Sequence, residues 1–327
     1  MASYVPQAAV IETSDLRKTF KSRKSTVEAV RGVDLTVRGG EIFGFLGPNG
    51  AGKTTTLRML ATLIEPTAGQ ATVAGADLSR QPALVRERIG YVPQGGSTDP
   101  AETGRGELVL QGRLYGMSGA EARARAAEVL ATLDLEAAAD RATGTYSGGM
   151  RRRLDVGLGI VHRPQVLFLD EPTTGLDPQA RARMWEEIQG LRERGTTVFL
   201  TTHYLEEADA LCDRLAIIDQ GTIVAEGTSD QLKQKVAGDV VTIGVNGSGA
   251  SVLSLVQAMS FVREASHDTE AGVVRLYVDR GETAVPHLLR SLDAAGFEPT
   301  SIALNKPSLD DVFLRQTGRS LREEAAA

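Results

Sequence analysis

The chain alternates short apolar runs with longer stretches of helical pattern from about residue 10 to residue 230. Two of the runs, 166–170 (VLFLD) and 197–202 (TVFLTT), show no alternation of apolar and polar positions, which is typical of central strands covered on both faces. The other strand candidates are 41–47, 71–75, 88–93 and 215–219. This pattern predicts a layered α/β domain with a largely parallel sheet.

Two further stretches define the remaining organisation of the chain. Residues 106–139 are rich in Ala, Leu, Glu and Arg and contain almost no strand formers, so they predict an all-helical insertion. Residues 229–239 predict a short helix that ends at a glycine, and beyond it the pattern changes to smaller alternating units. We therefore expect one domain over 1–235 and a small α+β domain over 236–327.

Composition and charge narrow the class of protein. The chain is 42% hydrophobic and 24% charged, as expected of an ordinary globular protein. With 36 basic and 42 acidic residues its net charge is −6, which argues against a general polyanion binder, and we expect no nucleic-acid partner. Cys212 is the single cysteine, and its helical surroundings predict a small buried hydrophobe.

The sequence also bears on location. No apolar run approaches the roughly 20 residues that span a bilayer, and residues 1–16 lack a basic segment followed by an apolar one. We expect a cytoplasmic protein; if it acts at a membrane, it does so through a partner.

Residues 47–55 (GPNGAGKTT) follow a strand candidate and precede a helix-like stretch, the context that a phosphate-binding loop requires. Gly47, Gly50 and Gly52 allow successive N–H groups to point inward at a helix N-terminus. Lys53 adds a positive charge that can reach the β- and γ-phosphates of a nucleotide, and the Thr54 hydroxyl can ligand Mg²⁺. A glycine-rich turn that leads into a helix is the alternative for this motif alone.

Polar residues follow three other strand candidates. Asp170 ends 166–170 and Glu171 comes directly after it, His203 follows 197–202, and Gln94 follows 88–93. Because carboxyl ends of parallel strands meet at one edge of a sheet, we expect these side chains beside the phosphate loop. There Asp170 would hold Mg²⁺, Glu171 would orient or deprotonate the attacking water, His203 would contact the γ-phosphate, and Gln94 would lie beside metal and water. Taken alone, Asp170 and Glu171 are more often a helix cap or a solvated turn, His203 is a capping or loop histidine, and a polar loop residue is the alternative for Gln94. The pairing of the two carboxylates with Lys53 reverses the balance in favour of catalysis.

A second anion cradle is predicted at 145–155 (TYSGGMRRRLD). Ser147 and the amides of Gly148 and Gly149 precede a cationic helical stretch, so they can bind an anion at a helix N-terminus. A chain with one phosphate loop does not need a second cradle for its own nucleotide. We therefore expect this cradle to serve the nucleotide of another copy.

Together these motifs resemble the ATP-binding-cassette (ABC) superfamily, specifically the ATPase subunit of a transporter. The family's motifs stand in its order: Walker A at 47–54, the glutamine loop at Gln94, the signature YSGGM at 146–150, Walker B at 166–170 followed by Glu171, the D-loop GLD at 175–177, and the switch histidine His203. The resemblance covers about residues 12–230. It implies a P-loop NTPase fold with a RecA-like core, a helical subdomain at about 95–160 and an antiparallel β edge, followed by the small α+β domain.

The resemblance also implies the ligands and their residues. ATP would contact Phe20, Gly47, Pro48, Asn49, Gly50, Ala51, Gly52, Lys53, Thr54 and Thr55, with Phe20 stacked on adenine, and in trans Ser147, Gly148, Gly149 and Asp177 of a second copy. Mg²⁺ would be held by Thr54, Gln94 and Asp170, and catalysis would fall to Glu171, His203 and Gln94. A core phenylalanine is the alternative for Phe20.

Tyr146 and Met150 depart from the Leu and Gln usual in the signature, and YSGGM is typical of the daunorubicin-resistance-type exporters. Residues 102–117 and 307–320 also look like stretches of that subgroup. The resemblance implies an ATPase that energises export of a drug-like or other hydrophobic compound through a separate permease. It would pair with a second copy or a sibling ATPase, peripherally on the inner face of the cell membrane. An importer subunit and a cassette ATPase without a transport role are the alternatives.

Overall fold

The computed structural model describes residues 8–22, 25–235, 238–269 and 271–318. These residues form two compact units, divided between Ser229 and Asp230. Residue 236, where the sequence pattern begins the second domain, lies outside the described residues, as do the first seven residues and the last two of the stretch 307–320.

A six-stranded sheet forms the centre of the first unit. In spatial order its strands are β10 (Thr222–Gly227), β9 (Arg214–Asp219), β3 (Ile42–Leu46), β8 (Thr197–Thr202), β7 (Val166–Asp170) and β6 (Ile89–Val92). The last five run parallel, and β10 is antiparallel to β9. Every residue of β3, β7 and β8 is buried, which explains why these strands show no alternation of apolar and polar positions.

A second, antiparallel sheet covers part of the same core. It is composed, in spatial order, of β2 (Thr26–Arg38), β1 (Ala9–Lys21), β4 (Ala68–Val73) and β5 (Ala76–Asp77). Helix α1 (Lys53–Leu60) contacts β2, β7 and β8, and one hydrophobic cluster joins Leu16 and Val33 to Phe45 and Leu57. Burying each such side chain contributes roughly 1.5–3 kcal/mol, so the strand and helix that flank the phosphate loop are firmly held.

The stretch between β6 and β7 is helical, as the composition of 106–139 indicates. Its helices are α3 (Gly104–Leu114), α4 (Gly119–Thr132) and α5 (Gly148–Ile160), with 3₁₀ turns at 136–138 and 143–145. The Ser118 and Glu121 side chains form a capping box at the start of α4, which satisfies amides that the helix leaves free. The other helices of this unit are α2 (Pro82–Arg88), α6 (Pro178–Glu193) and α7 (Leu205–Leu211), and α8 (Ser229–Lys235) spans the division.

The second unit is a four-stranded antiparallel sheet with helices. Its strands, in spatial order, are β12 (Val262–Asp268), β13 (Val273–Val278), β11 (Asp239–Gly244) and β14 (Ser301–Asn305), and its helices are α9 (Gly249–Gln257), α10 (Gly281–Ala294) and α11 (Leu309–Thr317). Val241, Leu276 and Leu288 lie in its own hydrophobic core. Strand β12 was not among the sequence-predicted elements.

Candidate active site

The predicted site residues meet at one edge of the six-stranded sheet. The phosphate loop follows β3, Asp170 ends β7 with Glu171 next, and His203 follows β8. Gln94 lies two residues after β6. All four strands are parallel, so their carboxyl ends deliver these side chains to the same place.

Glycines shape the phosphate loop in two ways. Gly50 and Gly52 have φ of 79° and 105°, left-handed values that cost a side chain strain. At position 47 glycine is required for a different reason: the backbone of Ile218 packs so closely that a Cβ would lie 2.3 Å from its carbonyl oxygen. The loop closes around Lys53, whose ammonium group donates to the carbonyl oxygens of Gly47 at 2.7 Å and Pro48 at 3.0 Å.

The Glu171 carboxylate is the centre of a buried polar cluster. Its Oε1 lies 3.4 Å from Lys53 Nζ, and its Oε2 accepts from Gln94 Nε2 at 2.9 Å and lies 3.2 Å from His203 Nδ1. Thr174 Oγ1 also donates to Oε2, at 3.1 Å. The structure therefore brings Lys53, Gln94, Glu171 and His203 together.

The electrostatics of this cluster favour an ionised carboxylate. Burial alone would raise the pKa of Glu171, but contact with His203 and the charge of Lys53 lower it to about 2. Burial lowers the pKa of Lys53, against the raising effect of the Glu171 charge. At neutral pH Glu171 is thus a carboxylate able to accept hydrogen bonds.

Asp170 presents an unused oxygen beside the phosphate loop. Its fully buried side chain accepts at Oδ1 from Thr54 Oγ1 at 2.9 Å and from Thr201 Oγ1 at 2.7 Å. Its Oδ2 is buried and has no hydrogen-bond partner among the described residues. Since buried polar atoms are nearly always satisfied, a carboxylate oxygen of this kind next to a hydroxyl fits a hard divalent cation.

The predicted second cradle forms a separate group. Ser147 caps α5 by accepting from the Met150 amide at 3.2 Å, and Asp177 caps α6 by accepting from the Ala180 amide at 2.8 Å. Ser147, Gly149 and Asp177 line a cavity of about 150 Å³ between the two helix starts. In the described ranges no hydrogen bond or ion pair connects this group to the Glu171 cluster.

Phe20 lies near the end of β1 with 45% of its surface exposed. The alternative of a core phenylalanine is therefore wrong. The ammonium group of Lys18 lies 5.2 Å from the ring centroid, so one face of the ring already has a cation beside it. The ring is accessible for stacking.

Three residues of the site were missed by the sequence reasoning. Thr201 Oγ1 donates to Asp170 Oδ1 and accepts from the backbone amide of Glu171 at 3.0 Å. Thr174 contacts Glu171, and Arg152 donates to the backbone of 170–172. Thr201 could have been predicted from its place in the strand TVFLTT, one residue before the strand ends. Arg152 is one of three consecutive arginines after the signature, and the sequence does not distinguish it from the other two.

Three other side chains that could carry chemistry, those of Cys212, His267 and His287, have surroundings of their own. Cys212 is buried as predicted, and burial raises the pKa of its thiol well above its usual value. His267 lies on β12 and packs against Gly249, where a Cβ would lie 1.9 Å from its Nε2. His287 is on α10, with its Nδ1 3.2 Å from Arg290.

Comparison with protein-family models gives two matches that together cover most of the chain. The ABC transporter model matches residues 30–174. A model described as the C-terminal domain of DrrA1-3-like ATP-binding proteins matches residues 227–317.

Curated relatives match nearly the whole chain. It is 46% identical to the daunorubicin resistance ATP-binding protein DrrA2 of Streptomyces coeruleorubidus, over 92% of this chain and 94% of that protein. It is 45% identical to the daunorubicin/doxorubicin resistance ATP-binding protein DrrA of Streptomyces peucetius, over 94% and 92% respectively.

The structure resembles a solved ATP-binding cassette, a dimer in a post-hydrolysis state bound to ADP and Pi. The TM-score is 0.62 at 26% identity, and the match covers 67% of this chain and 98% of that chain. The fold class predicted from the sequence is confirmed.

Proposed function

Since this chain belongs to the ABC transporter family and is an ATP-hydrolysing, ATP-binding subunit of the daunorubicin-resistance type, we propose that it energises export of a drug-like hydrophobic compound through a separate membrane subunit. Both relatives described above are named for resistance to daunorubicin, and removal of a toxic compound from the cell would confer resistance. The importer and the cassette ATPase without a transport role find no support in these relatives.

The observation that carries the catalytic proposal is the buried contact of Glu171 with Lys53, Gln94 and His203. An ionised Glu171 can orient a water molecule toward the γ-phosphorus of ATP and take one of its protons. As the water oxygen bonds to phosphorus, the bond to the bridging oxygen of ADP breaks, which gives ADP and phosphate. Because contact with His203 and the charge of Lys53 keep the pKa of Glu171 low, its carboxylate is ionised at neutral pH and can accept a hydrogen bond from that water.

The other site residues act on the phosphates. Lys53 exchanges its contact with Glu171 for oxygens of the β- and γ-phosphates, while the amides of 47–55 surround them. His203 contacts the γ-phosphate, and Phe20 stacks on adenine through its exposed ring.

Asp170 and Thr54 would hold Mg²⁺, because the buried Oδ2 of Asp170 needs a partner and the Thr54 hydroxyl lies 2.9 Å from the other oxygen of that carboxylate. Gln94 donates its amide N–H to Glu171, which leaves its Oε1 to serve the same ion. When bound, Mg²⁺ neutralises charge on the β- and γ-phosphates.

A second copy would complete each site. Ser147, Gly148 and Gly149 at the start of α5 present a helix N-terminus with hydroxyl and amide donors to the partner's γ-phosphate, and Asp177 at the start of α6 lines the same cavity. Two copies facing head to tail enclose two nucleotides, and hydrolysis removes the phosphate that joins them. A sibling ATPase could replace the second copy in the same arrangement.

The partner in the membrane would dock beside Gln94. A groove of about 330 Å³ lies there, lined by Gln94, Gly95, Ser97, Pro100 and Leu176 among others, so a docked segment would contact the loop that carries Gln94. Across the described ranges, no helix combines the length and apolar character that crossing a bilayer requires. We place the chain peripherally on the inner face of the cell membrane, held there by its permease.

The proposed function is tested by ATP hydrolysis as a function of protein concentration. We expect the rate of hydrolysis per chain to rise with protein concentration, since each site needs a second copy. In Glu171→Gln the rate should fall about 10²- to 10⁴-fold while ATP binding is retained. The exposed Glu206→Gln on α7 serves as the matched control. Near-normal turnover in Glu171→Gln would remove that residue from its role, and a rate independent of concentration would exclude a site shared between copies.

A further inference from the structure

Three consecutive arginines follow the signature, and their surroundings differ. Arg152 is 7% exposed, whereas Arg151 is exposed to solvent. Arg153 is directed to the helical region, where its Nη1 donates to the carbonyl oxygen of Leu133 at 2.6 Å. Burial of the charged Arg152 guanidinium costs free energy unless its N–H groups donate hydrogen bonds. The acceptors of those hydrogen bonds therefore indicate the role of the side chain.

The Arg152 guanidinium binds the backbone on both sides of Glu171. Its Nε donates to the carbonyl oxygen of Pro172 at 2.8 Å, and its Nη2 donates to those of Asp170 at 3.0 Å and Glu171 at 3.3 Å. Glu171 has φ of 46°, a left-handed conformation that a non-glycine residue keeps only when its surroundings impose it. The three hydrogen bonds of Arg152 act on the segment that needs such support.

The same guanidinium also reaches the loop that carries Gln94. Its Nη1 donates to the carbonyl oxygen of Pro93 at 2.6 Å. One helical turn further along α5, Asp155 Oδ1 accepts from the Ser97 amide at 2.8 Å and from Ser97 Oγ at 3.2 Å. One turn of α5 therefore holds residues on both sides of Gln94.

We propose that Arg152 is a positioning residue for ATP hydrolysis, which fixes Glu171 and Gln94 relative to each other and ties both to the signature helix. The proposal rests on the roles assigned above to Glu171 and Gln94. Because Ser147 begins the helix that carries Arg152, a movement of α5 on engaging a second copy's nucleotide is transmitted to the Glu171 of its own site.

Arginine is needed for this task because its planar fork presents several N–H donors in fixed directions. A lysine retains the charge and much of the length, but its single ammonium group does not reach four carbonyl groups in this arrangement. Glutamine retains hydrogen-bonding atoms and loses the charge. Arg152→Lys is thus the variant that keeps the fold best, and Arg152→Gln is the stronger perturbation.

The experiment measures steady-state ATP hydrolysis, ATP affinity and thermal unfolding for both variants, with the exposed Arg123→Gln on α4 as a control for loss of one charge. We expect kcat to fall about 10- to 100-fold in Arg152→Lys, as for a displaced catalytic group. ATP affinity should change less than about threefold, since the contacts of the phosphate loop are intact. Unchanged kcat in a folded Arg152→Lys would overturn the proposal.

A double variant separates positioning from general structural damage. If Arg152 acts through Glu171, adding Arg152→Lys to Glu171→Gln should lower the residual turnover far less than it lowers that of the wild-type chain. An equal loss in both backgrounds would overturn the proposal. Normal turnover in Glu171→Gln alone would instead refute the proposed function, so the two failures are distinguishable.

Discussion

The ammonium nitrogen of Lys53 lies 3.4 Å from Oε1 of Glu171, and the two side chains are only 4% and 6% exposed. This ion pair joins the phosphate loop to the end of β7. A buried ion pair is seldom the most stable way to fill a core, because both charges lose their hydration. Because Lys53 is assigned to phosphate binding and Glu171 to water activation, catalysis explains this buried ion pair better than stability does.

Replacing Lys53 should abolish function and also weaken the fold. In Lys53→Met the Glu171 carboxylate loses a buried partner, which we expect to destabilise the chain by about 3 kcal/mol, and turnover should fall at least about 10²-fold. ATP binding measured by calorimetry and unfolding measured by denaturant check the two parts. The exposed Lys306→Met, in the second unit, is the control, and a Lys53→Met chain that still binds and hydrolyses ATP would sink the phosphate-loop assignment.

The lowered pKa of Glu171 predicts a pH-dependent stability. Between its usual pKa of 4.5 and about 2, the unfolded chain binds a proton at Glu171 that the folded chain does not. The stability that ionised Glu171 contributes is therefore complete above pH 4.5 and is lost as the pH falls toward 2. The unfolding free energy of the wild type relative to Glu171→Gln should decrease on acidification, by about 1 kcal/mol per pH unit.

Denaturant titrations between pH 5 and the lowest pH at which both chains remain folded check this slope. Glu41 gives a control of opposite sign, because burial raises its pKa. Relative to Glu41→Gln, the wild type should gain stability as the pH falls. A flat difference for Glu171→Gln would show that its contacts do not favour the ionised form.

The strands that are predicted best from the sequence are those that carry the site residues. Strands β7 and β8 have the bounds expected from their apolar runs, because every residue in them is buried and no turn residue interrupts them. Strands β1 and β2 are 13 residues long and their pairing is interrupted by register shifts, so no single period of two runs through them. Strand β12 (VREASHD) has no fully buried residue and therefore leaves no apolar pattern to detect.

The candidate site shows the same division. The motifs place Lys53, Asp170 and Glu171 at one sheet edge, since strand order and direction follow from the pattern. The contacts of Arg152 and Thr201 depend on which backbone carbonyl and which carboxylate the folded chain brings within reach. The residues next to them in the sequence do not indicate which groups these side chains contact, so these contacts are found only in the structure.

Phe20 should determine affinity for the base of the nucleotide without affecting catalysis. Stacking of a base on an aromatic ring is worth about 1–3 kcal/mol, so Phe20→Ala should raise KM for ATP on the order of 10-fold or more at nearly constant kcat. Because 45% of the ring is exposed, the loss of stability should be small. Phe20→Tyr should restore KM, whereas Val27→Ala, at the paired position on β2, should leave it unchanged. An unaltered KM in Phe20→Ala would place the adenine elsewhere.

The trans role of Ser147 can be tested without disturbing its role as a helix cap. Aspartate is as good an N-cap as serine, so Ser147→Asp should preserve the hydrogen bond from the Met150 amide. It places a negative charge where a partner's γ-phosphate is expected, and we expect ATP-dependent dimerisation and turnover to be lost. Ser118→Asp, at the N-cap of α4, is the matched control and should remain active.

Mixing this variant with Lys53→Met gives the decisive result. Each variant alone has two defective sites, but in a mixed dimer one site combines the intact Lys53 of one chain with the intact Ser147 of the other. The remaining site of that dimer carries both substitutions. If half of the dimers are mixed, about a quarter of all sites regain activity, and the rate should rise from near zero on mixing. If Ser147 acted on its own chain's nucleotide, no combination would restore an intact site, and the mixture would stay inactive.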